Sequence, residues 1–197
     1  MPAEWSFFVS VFLKFFFLLT PFFALSMFLS LTRGYPDVLR RRLTLRIGAS
    51  AATLGLILFF FGDGIFAVFG ITLDAFRVGA GALLFLSAVG LVHGQATSVA
   101  ETPEEDITVV PMAIPVMVGP ATIGSLLVLG AEIDDPTRRG LGGLALLLAV
   151  AAVTVLLWLA SWIEAIIGRR GLAILSKITG LILAALAAQL VLTGMRD

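Results

Sequence analysis

Six apolar stretches, each long enough for an α-helix to cross the hydrocarbon core of a bilayer (about 20 residues), take up most of this chain. They run approximately from Ser6 to Leu31, Leu45 to Phe69, Leu73 to Val92, Ile107 to Ala131, Leu141 to Ile167 and Leu172 to Gly194. Hydrophobic residues make up 59% of the 197 positions and charged residues only 13%, about half the charged share of a soluble domain. The expected fold is therefore an all-α polytopic membrane protein with the lipid bilayer as its solvent. The longest polar stretch, about His93 to Asp106, is a loop rather than a domain. Gly62, Asp63 and Gly64 interrupt the second stretch, which is expected to end there, followed by a short outer helix to Phe69.

The formal net charge is zero, so no global field points to nucleic acid as a partner. The absence of cysteine excludes disulfides, thiolate metal sites and cysteine nucleophiles. No glycine-rich phosphate loop followed by lysine supports ATP binding, and no cofactor or metal is expected. Where charge does matter is in the loops, because basic residues are retained on the cytoplasmic side. Arg33, Arg40, Arg41, Arg42 and Arg46 follow the first stretch, and Arg169, Arg170 and Lys177 follow the fifth, against Arg77, Arg138, Arg139 and Arg196 on the other face. Eight against four predicts both termini outside. Glu4 before the first stretch and arginines after it are also the reverse of a signal peptide's polarity, so that stretch is expected to be a retained span.

Internal similarity predicts a duplication. Setting Pro21 on Pro120 pairs Ser26 with Ser125, an offset of 99 positions. Setting Arg77 on Lys177 pairs Leu83 with Leu183, Leu86 with Leu186 and Gly94 with Gly194, an offset of 100. With three spans per copy, the second copy enters the membrane from the opposite side. The expected organisation is six transmembrane helices as a 3+3 inverted repeat, with helices 1 and 4 broken. The first repeat covers residues 1–94, a cytoplasmic linker 95–106, and the second, inverted repeat 107–197.

The breaks come from proline. Within a helix it removes a donor and clashes with the carbonyl four residues earlier, so Pro21 is expected to free the Phe17 carbonyl and Pro120 that of Val116. Both lie near the middle of their stretches, where lipid offers no hydrogen bond, and such backbone is tolerated only when buried in protein or lining a wet cavity. Pro111 and Pro115 further weaken the first half of the fourth stretch. After each break a new half-helix begins, and its first amides, around Phe22 to Leu25 and Ala121 to Gly124, suit a carboxylate or another small anion. The freed carbonyls suit an ammonium group, and together the two poles fit a zwitterion. The expected binding residues are Thr20, Pro21, Phe22, Phe23 and Ser26 from the first break and Gly119, Pro120, Ala121, Thr122 and Ser125 from the second. Asp63 with Arg77, and Glu164 with Lys177, are candidate outer and inner gates; separate interfacial anchors are the simpler reading of those four. Lys14 reads as a side chain that reaches outward, Gln189 as an interhelical hydrogen bond and His93 as interfacial.

Val110-Pro111-Met112-Ala113-Ile114-Pro115, running into Gly119-Pro120-Ala121-Thr122-Ile123, resembles the hallmark of the MarC family of inner-membrane proteins. Thr20-Pro21 to Thr32, Phe69 to Thr72 with Arg77 to Gly81, and Ser176 to Gly180 match family blocks in the same order, so the resemblance covers nearly the whole chain. It implies six spans and kinship with SnatA-type neutral amino acid transporters of the LysE-like superfamily. Two positions depart from the pattern: the family commonly has Asn where this chain has Thr20, and Gly where it has Ala121.

The function expected is secondary transport of a small polar solute, a neutral amino acid being the leading class, by alternating access at a midplane site. Proton or sodium coupling and self-association into a homo-oligomer are left open. A non-transporting scaffold is the alternative. An intramembrane enzyme ranks lower, because the chain offers no carboxylate pair at depth and one histidine at a rim.

Overall fold

A computed structural model of the chain describes residues 3–94, 118–133 and 135–196, with the backbone alone at Ala3, Asp63 and Ile65. The described residues are helical and contain no strand. In order they form α1 (Ala3–Leu18), α2 (Pro21–Leu31), α3 (Asp37–Phe69), α4 (Leu73–His93), α5 (Pro120–Ala131), α6 (Pro136–Trp158) and α7 (Ala160–Arg196). Five stretches are long and apolar enough to cross a membrane: Glu4–Leu31, Asp37–Gly62, Leu73–His93, Pro136–Trp158 and Ala160–Arg196. α5 is apolar but shorter, at 12 residues. The expected linker and the first half of the fourth stretch, with Pro111, Pro115 and Val116, lie outside the described residues.

Local chemistry explains where these helices start. Pro21, Pro120 and Pro136 open α2, α5 and α6, at the one helical turn whose amides lack a partner, so the missing N–H costs nothing there. The Thr72 hydroxyl accepts from the Ala75 amide at 3.3 Å and the Asp135 carboxylate from the Arg138 amide at 3.1 Å, capping α4 and α6.

Two expectations about boundaries are corrected. Gly62-Asp63-Gly64 does not end the second stretch: α3 continues to Phe69. The glycine serves packing instead, since a Cβ at Gly62 would lie 2.8 Å from the Leu127 carbonyl oxygen of α5. The fifth stretch is not one helix to Ile167. α6 ends at Trp158, Leu159 forms a turn, and α7 kinks again at Gly168, whose φ of 69° and ψ of 169° interrupt its helical backbone.

The helices pack through close approaches of small residues, as expected where lipid removes the hydrophobic drive between helices. α4 and α7 run antiparallel. A Cβ at Gly81 would stand 3.0 Å from the Ala187 carbonyl oxygen, and one at Gly180 would stand 2.9 Å from that of Ala88. α3 lies between α5 and α6, with Phe59 fully buried at the meeting point. Its ring meets Phe15 of α1 edge-on at 5.7 Å, its ring atoms abut Gly142 of α6, and its carbonyl abuts Gly130 of α5. α1 packs on α6, and α2 packs on α7.

Candidate functional site

The first break is a single left-handed residue between α1 and α2. Thr20 adopts φ 46° and ψ 57°, the one described non-glycine residue in the left-handed region. Just before it, the Thr20 amide donates to the Phe17 carbonyl at 3.0 Å, so the carbonyl expected to be free is satisfied. The Leu18 carbonyl, one residue on, has lost its helical donor because Pro21 interrupts the ladder. It accepts from the Thr122 hydroxyl at 3.3 Å, across 104 residues of sequence. Thr122 sits in the first turn of α5, two residues past Pro120, so the negative end of α1 meets the positive end of α5. The two breaks are brought together.

Expected binding residues divide around this junction. Pro21, Ala121, Thr122 and Ser125 are buried, as is Leu18 beside them. In α2 the first intrahelical donor is the Ala24 amide, to Thr20, at 2.9 Å. In α5 it is the Ile123 amide, to Gly119, at 2.9 Å. The amides of Phe22 and Phe23, and of Ala121 and Thr122, therefore precede the ladders, a narrower set than expected. Ser125 donates to the Ala121 carbonyl at 2.9 Å and lines a cavity of about 60 Å³. Ser26 does not join it. Ser26 is exposed and lines a different cavity, of about 150 Å³, with Ser30, Arg33, Glu164 and Arg169. Along α7 the first cavity reaches Leu186 and the second Leu172, about 21 Å apart at ~1.5 Å per residue.

The Glu164 gate is paired differently from expectation, and the described partners of Arg77 are two acids not expected from the sequence. Arg77 Nη1 meets Asp74 Oδ1 at 2.6 Å and its Nε meets Glu132 Oε1 at 3.1 Å, tying the start of α4 to the end of α5. Asp63, the expected partner, has a side chain outside the description. Glu164 Oε1 accepts from Arg169 Nε at 2.9 Å, and Lys177 is exposed. Arg169 is five residues from Glu164 across the Gly168 kink, a closeness that helical spacing alone does not reveal.

Comparison with known proteins places this architecture. Residues 5–197 match the profile of the MarC family integral membrane proteins. A UPF0056 membrane protein of Methanocaldococcus jannaschii is 34% identical over 96% of both chains. The chain belongs to the MarC family. Further MarC relatives include a UPF0056 membrane protein of Aquifex aeolicus, 30% identical over 96% of this chain and 92% of that one, and YhcE of Escherichia coli, 27% identical over 99% and 93%. The MarC family is thus one of multi-pass membrane proteins in bacteria and archaea. No solved structure matches this member.

In this MarC protein, sequence reasoning missed the polar lining of the smaller cavity. Lys14, Glu132, Gln189 and Thr193 surround it with Leu18 and Ser125. Lys14 lies one turn before the first break, and no ion pair engages it among the described residues. The available signal was position: a lysine four residues before the last residue of a broken helix is one turn from the break, on its face.

Proposed function

We propose that this chain is a secondary transporter of the cytoplasmic membrane for a small zwitterion, a neutral amino acid being the class that fits best, with six spans arranged as a 3+3 inverted repeat. The observation that carries the reading is the pair of cavities flanking the Thr122 and Leu18 junction. Ser26, Ser30 and Arg33 of one correspond to Ser125, Leu129 and Glu132 of the other at a constant offset of 99. Equivalent residues lining separate cavities toward opposite ends of α7 are what a rocking, inverted-repeat carrier requires.

The packing supports the same offset. The contact of Gly81 with Ala187 and that of Gly180 with Ala88 exchange when either residue is shifted by 99 positions. The segment broken at Pro21 packs on α6 and α7, as α5 packs on α3 and α4. An offset of 99 in this pair of helices sets Arg77 opposite Ser176 rather than Lys177, one residue from the sequence alignment.

The smaller cavity offers a cation in Lys14, an acid in Glu132, an amide in Gln189 and hydroxyls in Ser125 and Thr193, groups that complement both ends of a zwitterion. The direct experiment is uptake or counterflow in proteoliposomes across a panel of neutral amino acids. Saturable flux for at least one is expected. No flux above empty liposomes for any of them would contradict the reading.

A further inference from the structure

A third cavity, of about 250 Å³, lies away from the junction, where α3 begins and α6 passes into α7. Its wall has two chemically distinct halves. Arg40, Arg41 and Asp37 come from the first turns of α3, whereas Trp158 ends α6, Leu159 forms the turn and Trp162 lies in the first turn of α7. The Arg41 guanidinium lies over the Trp158 ring, 5.5 Å from its centroid, so that side chain is held against the cavity wall rather than extended away from it. No carboxylate forms an ion pair with Arg40 or Arg41 among the described residues.

The apolar half is open on its outer side. Trp158, Leu159 and Trp162 retain 43%, 42% and 63% of their surface, an apolar patch open for a partner to cover. Tryptophan side chains favour the headgroup level of a bilayer, so the pair sets the depth of the cavity near the phosphates. Arg33, Arg42 and Arg46 lie close by in the sequence, and among the described residues Asp37 is the only acid in the lining. A freely dissolved anion would leave half of this wall unused. A molecule with a phosphate at one end and acyl chains at the other uses both halves.

We propose that this cavity binds an anionic phospholipid, its phosphate between Arg40 and Arg41 and its upper acyl chains against Trp158 and Trp162. Asp37 accepts a hydrogen bond from a headgroup hydroxyl, which favours a glycerol headgroup. The site is distinct from the junction and does not depend on whether the chain transports.

Tryptophan emission reads it directly. The chain has three tryptophans, so Trp5→Phe leaves Trp158 and Trp162 as the emitters. The protein is placed in phosphatidylcholine nanodiscs containing small fractions of phosphatidylglycerol, phosphatidylethanolamine or phosphatidylcholine brominated on the upper acyl chain. Brominated phosphatidylglycerol is expected to quench saturably at fractions where the other two quench only in proportion to their amount. Arg40→Gln and Arg41→Gln are each expected to weaken that affinity about five-fold, at roughly 1 kcal/mol per basic residue, while Arg42→Gln, outside the lining, serves as control. Equal quenching by the three lipids overturns the proposal without need of any variant, and so does a phosphatidylglycerol preference that survives both substitutions. Phosphatidylethanolamine matching phosphatidylglycerol overturns the anionic assignment. Displacement by inorganic phosphate at constant ionic strength would instead mark a soluble-anion site and overturn the lipid assignment.

Discussion

The Thr122 hydroxyl donates to the Leu18 carbonyl at 3.3 Å, joining the end of one interrupted helix to the start of another 104 residues later. Both residues are buried, so the carbonyl has no water to replace the bond. Thr122→Val keeps shape and removes the donor, and should cost about 1–3 kcal/mol of stability. Thr122→Ser should retain most of it. Thermal unfolding in detergent measures both; equal midpoints for the valine and serine variants would count against the bond.

Thr20 carries backbone strain at the junction. A left-handed conformation costs an L-residue about 1–2 kcal/mol, and a β-branched one is poorly suited to it. Asparagine tolerates that region, so Thr20→Asn should raise stability by up to ~1 kcal/mol, and Thr20→Gly should not lower it. A lower unfolding midpoint in both variants would show that the hydroxyl outweighs the backbone.

The contact between α3 and α5 gives a paired prediction from two glycines. A Cβ at Gly130 would collide with the Phe59 carbonyl, which belongs to a helix backbone and cannot rotate away. Gly130→Ala should therefore cost about 1–3 kcal/mol through overpacking. Nothing lies within 4 Å of a Cβ at Gly64, so Gly64→Ala should be neutral or stabilise α3 by about 0.5–1 kcal/mol. The contrast between them is read from denaturation midpoints.

These cases show what the sequence disclosed. The apolar runs and the prolines were legible because bilayer thickness and a missing N–H act locally, and Pro21 and Pro120 do open helices. The carbonyl that the second break reaches is Leu18's, one residue from the expected Phe17, and the left-handed turn at Thr20 has no glycine to announce it. Gly62-Asp63-Gly64 looked like a helix end because the Leu127 backbone that occupies the space beside Gly62 lies 65 positions away. The ion pairs were the least legible feature. Arg77 with Glu132, and Glu164 with Arg169, depend on where helices end in space, and an alignment of Arg77 with Lys177 carries no such information.

Lys14 is the residue by which the zwitterion assignment can be probed chemically. If its ammonium meets the solute carboxylate, alanine should be bound more tightly than alaninamide, which lacks that carboxylate. Lys14→Gln should then raise the KM for alanine about ten-fold or more and leave alaninamide nearly unchanged, the loss of one charge-assisted hydrogen bond being worth about 1.5–3 kcal/mol. Equal losses for the two compounds would assign Lys14 a structural role.

The two cavities give the most direct test, and the chain lends itself to it because it contains no cysteine. Ser26→Cys and Thr193→Cys place one thiol in each cavity. A membrane-impermeant thiol reagent should reach the two from opposite sides of a sealed vesicle, and a transported neutral amino acid should raise the reactivity of one while lowering the other. Labelling of both thiols from the same side, or reactivities indifferent to every neutral amino acid, would contradict alternating access through this junction.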